Sequence, residues 1–213
     1  MSQLNERVTV VDHPLAKHKL SLLRSKDTSD ADFRRLVNEI SLIEGIEATR
    51  LLKTEPVDVQ TPVALAHCER LADAPVIVPI LRAGLGLLDG MLELVPSAAV
   101  GHLGMERNEV THIPREYYAK MPQDVASRPV IIVDPMLATG GSSIAAIDYL
   151  RKRGVKDLTL MVMVAAPEGI QAVLDADADV RIVTCAIDER LNDDAYIVPG
   201  LGDAGDRIFG TVK

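Results

Sequence analysis

The sequence predicts an α/β fold, a five-stranded parallel sheet flanked by helices, and three observations carry that expectation. From Pro75 onward come five candidate strands, PVIVPIL, AAVGHLGM, PVIIVD, LTLMVMVA and VRIVTCAI. Four are near-continuous aliphatic runs, as in strands covered on both faces. Between them lie segments with helical spacing, LGLLDGMLELV, SSIAAIDYLRKRG ending at Gly154, and PEGIQAVLDAD. Alternating strand and helix gives a parallel sheet wound by right-handed crossovers. Lastly, 47% of the residues are hydrophobic while only 3% are aromatic and Trp is absent. The core is therefore aliphatic, and large enough to exclude disorder.

In chain order, Asp12-His13-Pro14 before LAKHKLSLLRS reads as a helix start with proline in the first turn. Ser29, with Asp32 three residues on, is a weak capping box. It opens a long amphipathic helix on which Phe33, Leu36, Val37, Ile40 and Ile43 share a face. EPVDVQTP, with Val57 and Val59 alternating, reads as a half-exposed strand or hairpin arm. His67 beside Cys68 is expected as a pair on a helix face. VMVAAPEG, at 162–169, ends a strand and starts a helix at Pro167. Asp175, Asp177 and Asp179 read as a solvated helix end rather than a metal site.

At 213 residues the chain suits one domain, 1–213. Its net charge of −8 argues against a nucleic-acid or membrane-surface binder, although a local cationic pocket for an anionic small molecule is compatible with it. Cys68 and Cys185 have no metal-like spacing and are expected as buried thiols. The opening MSQLNERVTV lacks the apolar core of a signal peptide, and no apolar run reaches membrane-spanning length. The expected location is cytoplasmic.

In such sheets ligands sit beyond the carboxyl ends of the strands, so the loops there are the candidates. Strand 130–133 delivers Asp134, and ATGGSS then enters a helix. Thr139, Gly140, Gly141 and Ser142 offer closely spaced backbone N–H groups and hydroxyls at a helix N-terminus, a ready phosphate cradle. An ordinary helix cap with two turn glycines is the competing reading. This loop fits neither GxxxxGK[ST] nor GxGxxG. Arg82, just after a buried strand and before Gly84 and Gly86, is placed to clamp a pyrophosphate oxygen. Alternatively it caps a helix or pairs with Asp89. The tail YIVPGLGDAGDRIFGT, rich in glycine and carrying Pro199 and two acids, would be fraying coil if it had no function. GMERNEVTHIPREYYAKMP, 104–122, is polar and carries Tyr117-Tyr118, as a mobile lid would; its Arg115 and Lys120 read as solvated surface cations.

The strand-end acid followed by small residues and Thr-Gly resembles the loop of type I phosphoribosyltransferases, which bind phosphoribosyl pyrophosphate (PRPP). DPMLATGGS, LRAGLG and the tail together resemble the uracil phosphoribosyltransferase family. Most members of the wider superfamily carry two adjacent acids where this chain has Asp134-Pro135. The N-terminal HPLAKHKLSLLR is similar to the family's opening helix, so the resemblance covers most of the chain.

The resemblance implies a core of about 70–190. A small hood would be formed by the N-terminal helices, a β-arm and 191–213. It implies that PRPP is held by Arg82, Arg107, Asp134, Pro135, Met136, Leu137, Ala138, Thr139, Gly140, Gly141, Ser142 and Asp203. Within that set Asp134 takes the ribose hydroxyls and Ala138 to Ser142 the 5′-phosphate. It also implies that uracil is read by Ile197, Gly202, Asp203 and Ala204, with Arg82 and Asp203 as the catalytic pair. Mg²⁺ is the implied cofactor, reached by Asp203 through water. The family often carries a cis peptide after the Arg82 equivalent. It also has an aromatic residue where this chain has Glu106 before Arg107. A homo-oligomer, dimer or tetramer, is expected, and GTP is carried as a candidate allosteric effector.

Two rivals remain at this level. One is a phosphoribosyltransferase acting on a purine or orotate; purine enzymes usually stack the base on an aromatic, and this chain offers only Phe209 and the lid tyrosines. The other is a uracil- or UMP-sensing RNA-binding regulator, which the net charge disfavours.

Overall fold

The computed structural model describes residues 6–107 and 114–211; the side chains of residues 106, 107, 114 and 115 are outside the description. In chain order the elements are β1 Val8–Val10, α1 Pro14–Arg24, α2 Asp30–Ala48, β2 Thr54–Gln60, β3 Leu65–Leu71, β4 Val76–Leu81, α3 Leu85–Leu94, β5 Ala99–Val100, β6 His102–Arg107, β7 Pro114–Lys120, β8 Val130–Val133, β9 Met136–Leu137, α4 Gly141–Arg151, β10 Leu158–Ala165, α5 Pro167–Ala176, β11 Arg181–Ile187, β12 Arg190–Leu191, β13 Ile197–Val198 and α6 Ala204–Phe209.

The main sheet runs β1-β11-β10-β8-β4-β6-β7. All its pairings are parallel except β6–β7. The five strands read from sequence lie at its centre, and the sheet is wider than expected at both edges. β1, from the N-terminal segment, adds to β11 with Val8 opposite Ile182. The expected lid supplies β7, whose Lys120 pairs with His102. That part of 104–122 is therefore a hairpin arm, and the remainder, 108–113, lies outside the described residues.

Alternation along the central strands builds two cores. Ile77, Ile131, Val133, Met161, Met163, Val183 and Cys185 face the layer of α1, α2, α3 and α6, where Leu23, Phe33, Leu36, Ile40, Leu87 and Met91 are buried. Val76, Val78, Ile80, Val130, Ile132, Leu160, Val162 and Ile182 face the other layer, with Ile147 and Leu150 of α4 and Val173 of α5. A period of two on both faces explains the unbroken aliphatic runs in the sequence.

The helix caps follow the sequence. His13 Nδ1 accepts from the Leu15 N–H at 3.2 Å, and Ser29 Oγ from the Asp32 N–H at 3.2 Å. Thr54–Gln60 is the expected arm, paired antiparallel with β3. His67 and Cys68 sit on that strand rather than on a helix. His67 Nδ1 lies 2.6 Å from Asp58 Oδ1 across the hairpin, and Cys68 is exposed, so only Cys185 is a buried thiol. Nor is the acidic helix end wholly solvated, because Asp177 accepts from Arg151 Nε at 2.6 Å and Nη2 at 3.1 Å. No described helix is long and apolar enough to cross a membrane.

Candidate active site

Beyond the carboxyl ends of β8 and β10, two distant stretches of chain form one cleft of about 330 Å³. Asp134, Pro135, Met136, Ala138 and Thr139 line one side, and Asp194 to Ile197 with Gly202 to Gly205 the other. Ala83 completes the lining. Segments about 60 residues apart in sequence thus line a single cleft from opposite sides.

The first side is built by the sheet. β8 ends at Val133, and the Asp134 N–H donates to Met161 O at 3.2 Å. Burial pushes the Asp134 carboxyl up to about 7, partly offset by the Met136 N–H. β9 then returns to pair with β10, and the Ala166 N–H donates to Leu137 O at 2.8 Å. Leu137 is therefore a core side chain, 1% exposed, while its neighbours Met136 and Ala138 line the cleft. Gly140 caps α4 with φ +85°, and the exposed Thr139 and Ser142 flank it. Gly140, Gly141 and Ser142 lie beyond the cleft lining, at the start of that helix.

Arg82 follows β4. The cis peptide lies before it, at Leu81–Arg82, rather than after it. Its guanidinium pairs with Asp206 at 3.7 Å and lies 5.8 Å from the Phe209 ring; Asp89 is not its partner. Arg82 is thus beside the cleft rather than in its wall, where Ala83 stands. Gly84 lets this loop press against β8, since a Cβ there would lie 2.4 Å from Val133 O and 2.7 Å from Ile80 O. Arg107 ends β6; its side chain is outside the description.

The second side is a short hairpin and a turn. Asn192 Oδ1 accepts from the N–H groups of Asp194 at 3.1 Å and Tyr196 at 2.8 Å, shaping a tip on which Ala195 has φ +63°. Val198–Pro199 is cis. Asp203 caps α6, its Oδ1 accepting from the Asp206 N–H at 2.9 Å. Among the described residues no protein group binds its Oδ2. Ala204 and Gly205 open α6, where N–H groups have no acceptor within the helix.

The structure therefore brings Asp134, Pro135, Met136, Ala138, Thr139, Ile197, Gly202, Asp203 and Ala204 together as the sequence reading required. That reading missed Ala83, Asp194, Ala195, Tyr196 and Gly205. NDDAY carried a turn signal, but nothing in it said which way the turn would face.

The fold is that of the phosphoribosyltransferases. A hypoxanthine-guanine phosphoribosyltransferase from Bacillus anthracis superposes with a TM-score of 0.53 over 75% of this chain and 80% of that one, at 11% identity. The AQ2163 protein of Aquifex aeolicus superposes with a TM-score of 0.90 at 39% identity, over 95% of this chain and 97% of its own. The family model for uracil phosphoribosyltransferase matches residues 10–211. Proteins of that name from Clostridium beijerinckii and Streptococcus equi subsp. zooepidemicus are 56% and 58% identical, over 96% and 95% of this chain and 99% and 97% of theirs. The chain belongs to the uracil phosphoribosyltransferase family.

Proposed function

We infer that this protein transfers the phosphoribosyl group of PRPP to uracil, giving UMP and diphosphate. It is a pentosyltransferase of pyrimidine salvage. The observation that carries the reading is the single cleft shared by the Asp134 loop and the 194–205 loop, joined to family membership along nearly the whole chain.

In this reading the N1–C1′ bond forms as the bond from C1′ to diphosphate oxygen breaks, with inversion at C1′. The N1 proton is lost, and positive charge develops on the ribose. The protein's part is positioning and electrostatics. Asp134 accepts from the ribose hydroxyls, Ala138 to Ser142 hold the 5′-phosphate, and Arg82 faces the diphosphate. The Ile197 carbonyl accepts from N3–H of uracil, and N–H groups around Gly202 and Ala204 donate to its two oxygens. Cytosine would set its amino donor against a backbone donor, a mismatch costing about 1–3 kcal/mol.

Mg²⁺ fits these residues as a cation held mainly by substrate. Among the described residues no three of His, Cys, Asp and Glu cluster to hold a metal. Mg²⁺ keeps several waters and takes few protein ligands beside phosphates. Asp203, exposed at the cleft with one oxygen unbound, would reach it through water. When bound, the ion supplies charge neutralisation of the departing diphosphate.

The β2–β3 arm, with Val59, Val63 and Leu65 exposed at its end, supports a homo-oligomer, and GTP remains the effector to assay. The test of function is product identification after mixing protein, PRPP and Mg²⁺ with uracil, cytosine, orotate or hypoxanthine, with and without GTP. UMP from uracil alone is expected. A nucleotide from another base, and none from uracil, would overturn the reading.

A further inference from the structure

We propose that Arg24 and Asp188 are positioning residues for the base: together they hold Gly200 by both of its backbone groups and so set the 197–204 backbone against the pyrimidine. The proposal rests on the assignment of that loop to uracil.

Asp188 stands just past β11, fastened to the sheet edge by its N–H, which donates to Ala165 O at 2.9 Å. Its Oδ1 accepts from Arg24 Nη2 at 2.6 Å. Its Oδ2 accepts from both Arg24 Nη1 at 2.7 Å and the Gly200 N–H at 2.8 Å. Arg24 Nη1 also donates to Gly200 O at 2.7 Å. One guanidinium–carboxylate pair thus satisfies the N–H and the C=O of a single residue. The Asp188 side chain is only 6% exposed and that of Arg24 23%, so water competes poorly for these charge-assisted bonds.

Gly200 is the residue at which such a grip matters. Its φ is +61°, and a Cβ there would lie 2.2 Å from Ile197 O, the carbonyl assigned to N3–H of uracil. Any shift of Gly200 is therefore felt at that carbonyl. A second arginine works beside the first. Arg207 donates to Leu201 O at 2.8 Å and to Ser25 O at 2.6 Å, its guanidinium 4.3 Å from the Phe33 ring. The carbonyls of 200 and 201 are both occupied by arginine, Arg24 from α1 and Arg207 from α6, although Arg24, Asp188 and Arg207 are all absent from the cleft lining. Lysine at 24 would keep the charge but lose the planar fork that reaches Asp188 and Gly200 at once.

The test uses full-length Arg24→Lys and Asp188→Asn, with KM measured separately for uracil and PRPP and thermal unfolding followed in parallel. The expected result in each is a uracil KM raised about tenfold or more, with the PRPP KM within about twofold, as loss of orientation at one substrate predicts. Equal changes in both KM values, or no change in either, would overturn the proposal. Amide hydrogen exchange on the wild-type protein keeps it testable should a variant fail to fold. The Gly200 N–H is expected to be protected well beyond that of Asp193 at the hairpin tip, and equal exchange would count against the clamp. A wild-type protein that makes no UMP would overturn the functional reading instead, while the exchange measurement still judges the clamp.

Discussion

The two walls of the cleft are built in opposite ways. The Asp134 wall is made by main chain: β8, β9 and β10 register against one another, and the loop departs from the sheet with its hydrogen bonds already placed. The 194–205 wall has only the two-residue strands β12 and β13 and a six-residue helix. It is held instead by side chains reaching from far away in sequence, Arg24 to Gly200 and Arg207 to Ser25 among them. A phosphate is large, highly charged and always the same, so a cradle fixed by the sheet suits it. A pyrimidine edge must be told from its neighbours by single donors and acceptors, and under the proposed assignment a backbone loop set by side-chain clamps would provide that.

The largest expected effect breaks the sheet-built wall at its acid. Asp134→Asn should lower kcat/KM by about 100-fold or more by weakening its grip on the ribose hydroxyls, read from steady-state kinetics. The same change should raise stability at high pH. A carboxyl whose folded pKa is near 7, against 3.8 unfolded, binds its proton more tightly in the folded state. Stability is then lost as pH rises from about 4 to about 7. Urea unfolding at pH 5 and pH 8 should show the variant ahead at pH 8 by on the order of 2 kcal/mol, the carboxyl being partly relieved by cleft water.

Next in size is Gly84→Ala. Its Cβ would collide with the Val133 and Ile80 carbonyls, which are backbone and cannot swing aside. A loss of about 2–3 kcal/mol in urea unfolding is expected, with a higher KM for PRPP.

A matched pair of glycines sharpens the comparison between the walls. Gly140 and Gly200 both have positive φ, +85° and +61°, and each alanine costs about 1 kcal/mol or more of backbone strain. Gly140→Ala should raise the KM for PRPP several-fold and leave uracil nearly untouched. Gly200→Ala, whose Cβ also meets Ile197 O, should do the reverse. Effects that did not separate by substrate would dissolve the distinction between the walls.

The smallest effect on activity is expected from Glu44, which lies in neither wall. It is fully buried on α2, neither carboxylate oxygen has a partner among the described residues, and burial holds its pKa well above the usual range. Glu44→Leu should leave the kinetics unchanged. It should add about 1–3 kcal/mol at pH 8, with a smaller gain at pH 5, because that pH is only slightly above the ordinary carboxyl value of 4.5 and ionisation of the unfolded chain has withdrawn little of the wild type's stability there. Unfolding at the two pH values checks both the size and the sign.

Much of the sheet-built wall was legible in the sequence, for a physical reason. Unbroken aliphatic runs mark strands buried on both faces, and an acid with Thr-Gly at the end of one places a loop without long-range information. Residues 197 and 202–204 were legible through their glycines and the family resemblance. The arginines behind them were not, because ion pairs such as Arg24 with Asp188 span most of the chain and leave no local pattern. His67 and Cys68 were misread because a two-stranded arm exposed along nearly all of β3, on both faces, carries no apolar alternation to tell it from a helix surface. β1 and β7 were missed for a related reason. A three-residue strand offers no measurable period, and PREYYAK is polar enough to pass for a loop.

The account turns on one cleft binding the sugar phosphate on one wall and the pyrimidine on the other. A crystal structure of the protein soaked with UMP tests this directly. The account predicts the 5′-phosphate against 138–142 and the uracil edge against the backbone of 197–204. UMP seated elsewhere, or touching only one of the two loops, would contradict it.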